Sequence, residues 1–192
     1  DVCSSDLIPF VLVTSSAQGP QSLTEWVNRA KERPDTVTYG SAGIGSAIHL
    51  AMVLLEDQAG IRLTHVPYGG AAPALVDVLA GRVDAMFISL GAAAAHIKSG
   101  KLRVLGASGA KRFQAAPDIP TIEEQGFSGY EASSWQGALG PAGMPREISE
   151  LLNQWIVKAL SSPSVRDTFR AAGAEPEPST PQAFADYIRA ES

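Results

Sequence analysis

An α/β fold with parallel strands is predicted for this 192-residue chain by two observations. Short apolar, β-branched runs alternate with segments whose apolar residues recur at helical spacing. The joins where a strand hands over to a helix are rich in glycine, which suits the tight connections of a layered α/β protein.

The elements follow in order. Val11-Leu12-Val13 reads as a short strand. Ser22 and Glu25 form a capping-box pattern that opens a helix with Trp26, Val27 and Ala30 on one face, stopping before Pro34. Val37 to Gly40 is a strand. The segment from about Ser46 to Ala59 is a helix with Ile48, Ala51, Met52 and Leu55 at helical spacing. Leu63 to Val66 is a strand ended by Pro67, and Pro73 suits the first turn of a helix that buries Leu75, Val76 and Leu79. Val83 to Ile88 is a strand, Ala92 to Lys98 a helix, and Leu102 to Gly106 a strand again.

The C-terminal third changes character. Tyr130 to Leu139 reads as extended, and three helices then follow without an intervening strand. The first starts near Pro145 and carries Ile148, Leu151, Leu152, Trp155 and Ile156. The second runs from Pro163 to Gly173 with Val165 and Phe169. The third has Thr180 as N-cap and Pro181 at its first position, with Phe184 and Ile188 on one face. Apolar helix faces with no strands of their own to cover imply strands outside this chain. That leaves the C-terminal helices loosely held and ligand binding by this stretch weak or absent.

Composition narrows the function. The net charge is −5, with no basic stripe to meet phosphates, which argues against nucleic acid or an anionic membrane as partner. No apolar run approaches a membrane span. The single cysteine, Cys3, excludes an internal disulfide framework. It lies in Asp1–Leu7, a polar heptad that reads like a translated sequencing adapter and is expected to be non-native.

The most informative segment is Tyr39 to Leu50, where a strand ends and a helix begins with three glycines and two serines between them. Glycines let a ligand approach the backbone, and a helix start offers free N–H groups and a partial positive charge. Ser41, Ala42, Gly43, Gly45 and Ser46 are therefore candidate contacts for a carboxylate or phosphate, with His49 in the first helical turn behind them. The alternative is a tight turn that binds nothing, with His49 as a capping or core-edge residue. A second junction of the same kind contains Tyr68, Gly69, Gly70 and Ala71, and Tyr68 reads equally as a packing residue. Ser89 ends a third strand. Ligands sit beyond the carboxyl ends of strands in open parallel sheets, so these junctions are expected to face one crevice.

Enzymatic readings fail on spacing. Gly43 and Gly45 lack the third glycine of a dinucleotide fingerprint, because position 48 is Ile. Ser41 lacks the preceding glycine of a nucleophile elbow, because position 39 is Tyr. His49, His65 and His96 have no metal-ligand company, and His65 and His96 read as structural. Asp84 reads as a turn residue rather than a general base. No metal site, cofactor or catalytic residue is expected.

Taken together, Tyr39 to Leu50, His65 to Ala74, Gly81 to Phe87, Gly100 to Leu105, Pro117 to Ile122 and Trp135 to Gly143 resemble the Bug solute receptors, the extracytoplasmic binding components of tripartite tricarboxylate transporters. Lys111-Arg112 and Gly173 to Pro176 continue the likeness. The resemblance implies a type II periplasmic-binding-protein fold, in which two α/β domains joined by two crossing segments close on a ligand. It implies a small carboxylate as ligand (a di- or tricarboxylate, amino acid or aromatic acid) and membrane permease subunits as partners. Residues 1–7 are then the non-native segment and 8–15 a crossing segment with a remnant of the first domain. Residues 16–132 form the complete second domain, and 133–192 the return crossing and the C-terminal helices of an incomplete first domain. The crossings fall near Phe10–Val13 and Ser133–Leu139. Ile88-Ser89 departs from the Asp-Asn pair common in the family, which puts a polar contact there in doubt. A periplasmic location is implied, with the signal peptide lost together with a missing N-terminal third. The competing readings are a ligand-sensing domain for a signalling partner and an enzyme on the same fold.

Overall fold

The computed structural model describes residues 5–171 and 175–191. The chain divides into two compact units, one of Asp1–Ile8 with Ser134–Ser192 and the other of Pro9–Ser133.

The Pro9–Ser133 unit is an open sheet with helices. It draws on β1 (Ser5–Ser15), β2 (Thr38–Ser41), β3 (Thr64–Pro67), β4 (Ala85–Ser89) and β5 (Leu102–Ala107), in the order β3-β2-β4-β1-β5. β2 runs parallel to β3 and β4, as the alternation predicts. β1 departs from that expectation, since it pairs antiparallel with both β4 and β5. Periodicity reports burial and not strand direction, so this reversal leaves no mark in the sequence. The segment expected as a crossing with a remnant of the first domain thus supplies Pro9–Ser15 as an inner strand of this sheet. Val11, Leu12 and Val13 are wholly buried, as an apolar run covered on both faces should be.

Four helices accompany the sheet: α1 (Leu23–Glu32), α2 (Ala47–Ala59), α3 (Ala71–Leu79) and α4 (Leu90–Lys98). At the start of α1 the Ser22 hydroxyl accepts from Glu25 N–H at 3.1 Å, while the Glu25 carboxylate accepts from Gln21 N–H at 2.7 Å, one residue ahead of the cap. Trp26, Val27 and Ala30 face inward with Leu23. α3 buries Ala74 and Val78, with Leu75 and Leu79 of the expected trio half-buried against the core and Val76 57% exposed. Positions 74 and 78, one turn apart, centre its inward face, with 75 and 79 beside them. α4 begins at Leu90, because Ser89 serves as its N-cap residue. Asp84 braces the sheet: its carboxylate accepts from both Thr38 N–H and Thr38 Oγ1 at 2.8 Å.

Ser108, fully buried, fastens both ends of this unit. Its Oγ accepts from Phe10 N–H at 2.7 Å, its N–H donates to Phe10 O at 2.8 Å, and its carbonyl accepts from Ala132 N–H at 2.8 Å. The same hydroxyl donates to Ala132 O. Nearby, Tyr130 is buried and donates its hydroxyl to Ala51 O at 2.8 Å.

The other unit contains β6 (Ser133–Gln136), α5 (Arg146–Leu160), α6 (Pro163–Ala171), β7 (Glu175–Glu177) and α7 (Pro181–Glu191). β7 corrects the expectation of helices without a strand between them, for it pairs antiparallel with Ser5–Leu7 of β1. Three residues around Pro176 are too few for periodicity to register. Gly173, the expected end of the second helix, lies outside the described residues. The Thr180 hydroxyl accepts from Ala183 N–H at 3.2 Å, the expected cap of α7. Phe184 is buried with Trp135 set edge-on at 5.7 Å, while Trp155 on α5 is 61% exposed.

Candidate functional site

The parallel register puts the ends of β2, β3 and β4 at one edge of the sheet, since Ser41 pairs with Pro67 and Gly40 with Met86. The first two glycine junctions meet there directly. Tyr68 N–H donates to Ser41 O at 3.1 Å, and a side chain at Gly43 would lie 3.5 Å from Tyr68 O. Ser89 closes β4 on the same side.

The turn from Ser41 to Ser46 holds its shape with its own polar groups. Gly43 and Gly45 sit at φ +120 and +79, values that side-chain-bearing residues rarely adopt. Ser46 Oγ and Ser46 N–H both donate to Gly43 O, at 2.7 and 3.2 Å. Ser41 is 0% exposed, and its hydroxyl lies 3.1 Å from both N and O of Gly43. α2 then begins at Ala47 with Ser46 as N-cap residue. His49 N–H already donates to Ser46 O at 2.9 Å, and the dipole of the helix places positive potential at this end. Ile44, between the two glycines, projects into solvent.

Beneath the turn lies a stack of rings that sequence reasoning missed. Tyr39 and His65, paired in parallel register, stack at 4.8 Å, and His65 stacks on His49 at 4.3 Å. His65 Nε2 lies 2.6 Å from Ser41 Oγ. Gly45 N–H donates to His49 Nδ1 at 3.2 Å, which makes Nδ1 the acceptor and puts the neutral ring's proton on Nε2. The Tyr39 hydroxyl hydrogen-bonds to Glu56. Burial, then the charge and hydrogen bond of Glu56, push Tyr39 up to about 12. Burial lifts Glu56 above the ordinary carboxylate value, against the opposing pull of Leu63 N–H. Burial, then the facing His49, push His65 below the ordinary histidine value. A reading of His65 as merely structural could not foresee this, because nothing in one sequence gives the β2–β3 register.

The side chain of Tyr68 is occupied. Its ring packs against the core and its hydroxyl donates to Asp77 Oδ2 at 2.6 Å. Burial, then that bond, push Tyr68 up to about 12, and Arg82 first, then Tyr68, hold Asp77 below the ordinary carboxylate range. What this junction turns toward the first is therefore backbone, at Tyr68 to Ala71. His96 lies in the last turn of α4, away from the stack.

The Ser41–His65 contact has the residue types of a nucleophile and base. The hydroxyl is enclosed by the turn it supports, however, and has no open face for a substrate. Among the described residues no group of three or more His, Cys, Asp or Glu could hold a metal, and no helix is long and apolar enough to cross a membrane. A cavity of about 520 Å³, lined by Ser15, Val76, Leu79 and Lys101 among others, belongs to the opposite edge of the sheet.

Residues 2–192 match the model of the tripartite tricarboxylate transporter family receptor. Protein BugT of Bordetella pertussis is 35% identical over 94% of this chain and 56% of its own length. The R. palustris protein Rpa4515, solved with adipate, superimposes with a TM-score of 0.89 at 34% identity, over 99% of this chain and 64% of that one. MatC from Rhodopseudomonas palustris, with bound malate, gives 0.78 at 28% identity, over 91% and 58%. The chain spans about half the length of the curated relatives it matches. The periplasmic binding protein BugD superimposes with a TM-score of 0.84 at 29% identity, over 97% of this chain and 62% of that one.

Proposed function

The chain belongs to the tripartite tricarboxylate transporter receptor family, and on that premise we propose that the protein is a periplasmic solute receptor that captures a small carboxylate and presents it to membrane permease subunits. One observation carries the reading. Two glycine junctions at the carboxyl ends of β2 and β3 meet at the start of α2, so backbone N–H groups and the helix dipole converge on one place. The contacts are Ala42, Gly43, Gly45 and Ser46 with His49, then Tyr68 to Ala71 through their backbone, and Ser89, while the buried Ser41 shapes the turn from beneath. Neither junction contains Lys or Arg. Recognition therefore rests on N–H groups, each worth about 1.5–3 kcal/mol to a charged acceptor.

Adipate and malate, both dicarboxylates, in the matched structures support a dicarboxylate, and the family is one of transporter receptors. The enclosed Ser41 hydroxyl supports capture without turnover. Calorimetry with a panel of carboxylates and their amides tests the proposal. The acid binds and the amide does not; equal affinity for both removes charge recognition and the reading with it.

A further inference from the structure

We propose that carboxylate capture at this turn is linked to a proton. Neutral His49 occupies the Gly45 amide, and on protonation it releases that amide to the ligand and faces the ligand with a positive charge. The inference rests on the carboxylate reading above and names a control on the same site.

The geometry supplies the parts. Gly45 N–H donates to His49 Nδ1 at 3.2 Å, a bond that requires Nδ1 to keep its lone pair. A proton arriving there breaks it. The proton comes from solvent and stays on Nδ1, the Gly45 amide turns to the carboxylate, and no covalent bond changes.

The surroundings decide which ring takes the proton. His65 faces His49 at 4.3 Å from β3, and two imidazolium rings at that spacing would repel. His65 is the ring disfavoured, by burial and by His49. Tyr39 of β2 lies behind His65 as a neutral phenol. Glu56, further along α2, is the acid whose charge interacts with His49 and, when ionised, favours its proton. Asp35 acts on Glu56 in turn. Against this stands the start of α2, whose positive potential resists a cation in the first turn. A bound carboxylate cancels that resistance. Anion and proton therefore each favour the other, and the coupling is reciprocal.

The test begins without ligand. Amide and imidazole resonances of the 192-residue chain are followed from pH 8.0 to 6.0. The Gly45 amide is expected to move along the same curve as the His49 ring, and to stay fixed in His49→Gln, which keeps an acceptor but does not titrate. A stationary Gly45 amide in the wild type overturns the proposal. Calorimetry with adipate and malate at both pH values, in two buffers of different ionisation enthalpy, tests the linkage. Wild type is expected to bind about fivefold tighter at pH 6.0 with net proton uptake, the lower end of the usual range for coupled sites. His49→Gln is expected to bind alike at both. Wild-type binding that ignores pH overturns the linkage while the receptor reading stands.

Discussion

Replacing Gly45 by valine separates backbone recognition from stability. Gly45 lies at φ +79, with nothing within 4 Å of where a Cβ would sit. The substitution therefore meets strain rather than a clash. A residue with a side chain in the left-handed region costs about 1–2 kcal/mol, and a β-branched one is a rarer outlier still. Taken from a typical stability of roughly 5–15 kcal/mol, this leaves the protein folded. The turn relieves the strain by moving φ negative, which swings the Gly45 N–H away from its place. Losing one hydrogen bond to a charged acceptor costs about 1.5–3 kcal/mol, or roughly 10- to 150-fold in affinity. Gly60 provides the matched control. It sits at φ +60 in equally open space at the far end of α2, with its amide bonded to α2 carbonyls. Gly60→Val should lose similar stability and no affinity, read by thermal melts beside calorimetry with the carboxylate that binds wild type. Unchanged affinity in folded Gly45→Val, or an equal loss in Gly60→Val, would refute the assignment of the turn.

Ser108→Ala leaves Phe10 N–H and Ala132 O without their hydroxyl partner in a buried place. At about 1–3 kcal/mol for each such group the loss is roughly 2–6 kcal/mol, measured by urea unfolding, and a change below about 1 kcal/mol would show that neither group depends on it. Acid should weaken the fold at His65. Its folded pKa lies below its unfolded value near 6.5, so its contribution is complete above that value and lost as pH falls through the folded one. Wild type should lose its stability margin over His65→Gln between pH 7.5 and 5, and a margin that grows on acidification contradicts the ring stack.

The backbone of the site was legible because its signals are local. A strand ending at Ser41, glycines at 43 and 45 and a helix through Ile48, Ala51, Met52 and Leu55 are each written within a few residues of one another. The ring stack was not, because Tyr39, His65 and His49 come together only through the β2–β3 register and the first turn of α2. Tyr68 shows the same limit from the other side. Its place at a strand end suggested a ligand contact, while the partner that claims its hydroxyl, Asp77, stands on α3. β1 was legible as an apolar run but not in its direction, which depends on which neighbours it joins. At Ile88-Ser89 the structure gives Ser89 an N-cap position on α4, a backbone role that a comparison of side-chain types does not reveal.

The fastening at Ser108 makes the Pro9–Ser133 unit a cassette. Phe10 at its entrance and Ala132 at its exit are both bonded to the same residue, so the two ends of this stretch of chain are neighbours. A polypeptide loop whose ends meet can be cut out, closed with a short linker or reopened elsewhere without asking its interior to rearrange. The turn, the ring stack and the Tyr68 junction all lie inside it. Evolution and the bench are thus offered the same unit of exchange: a folded unit that can be transplanted whole, with Ser108 as its clasp.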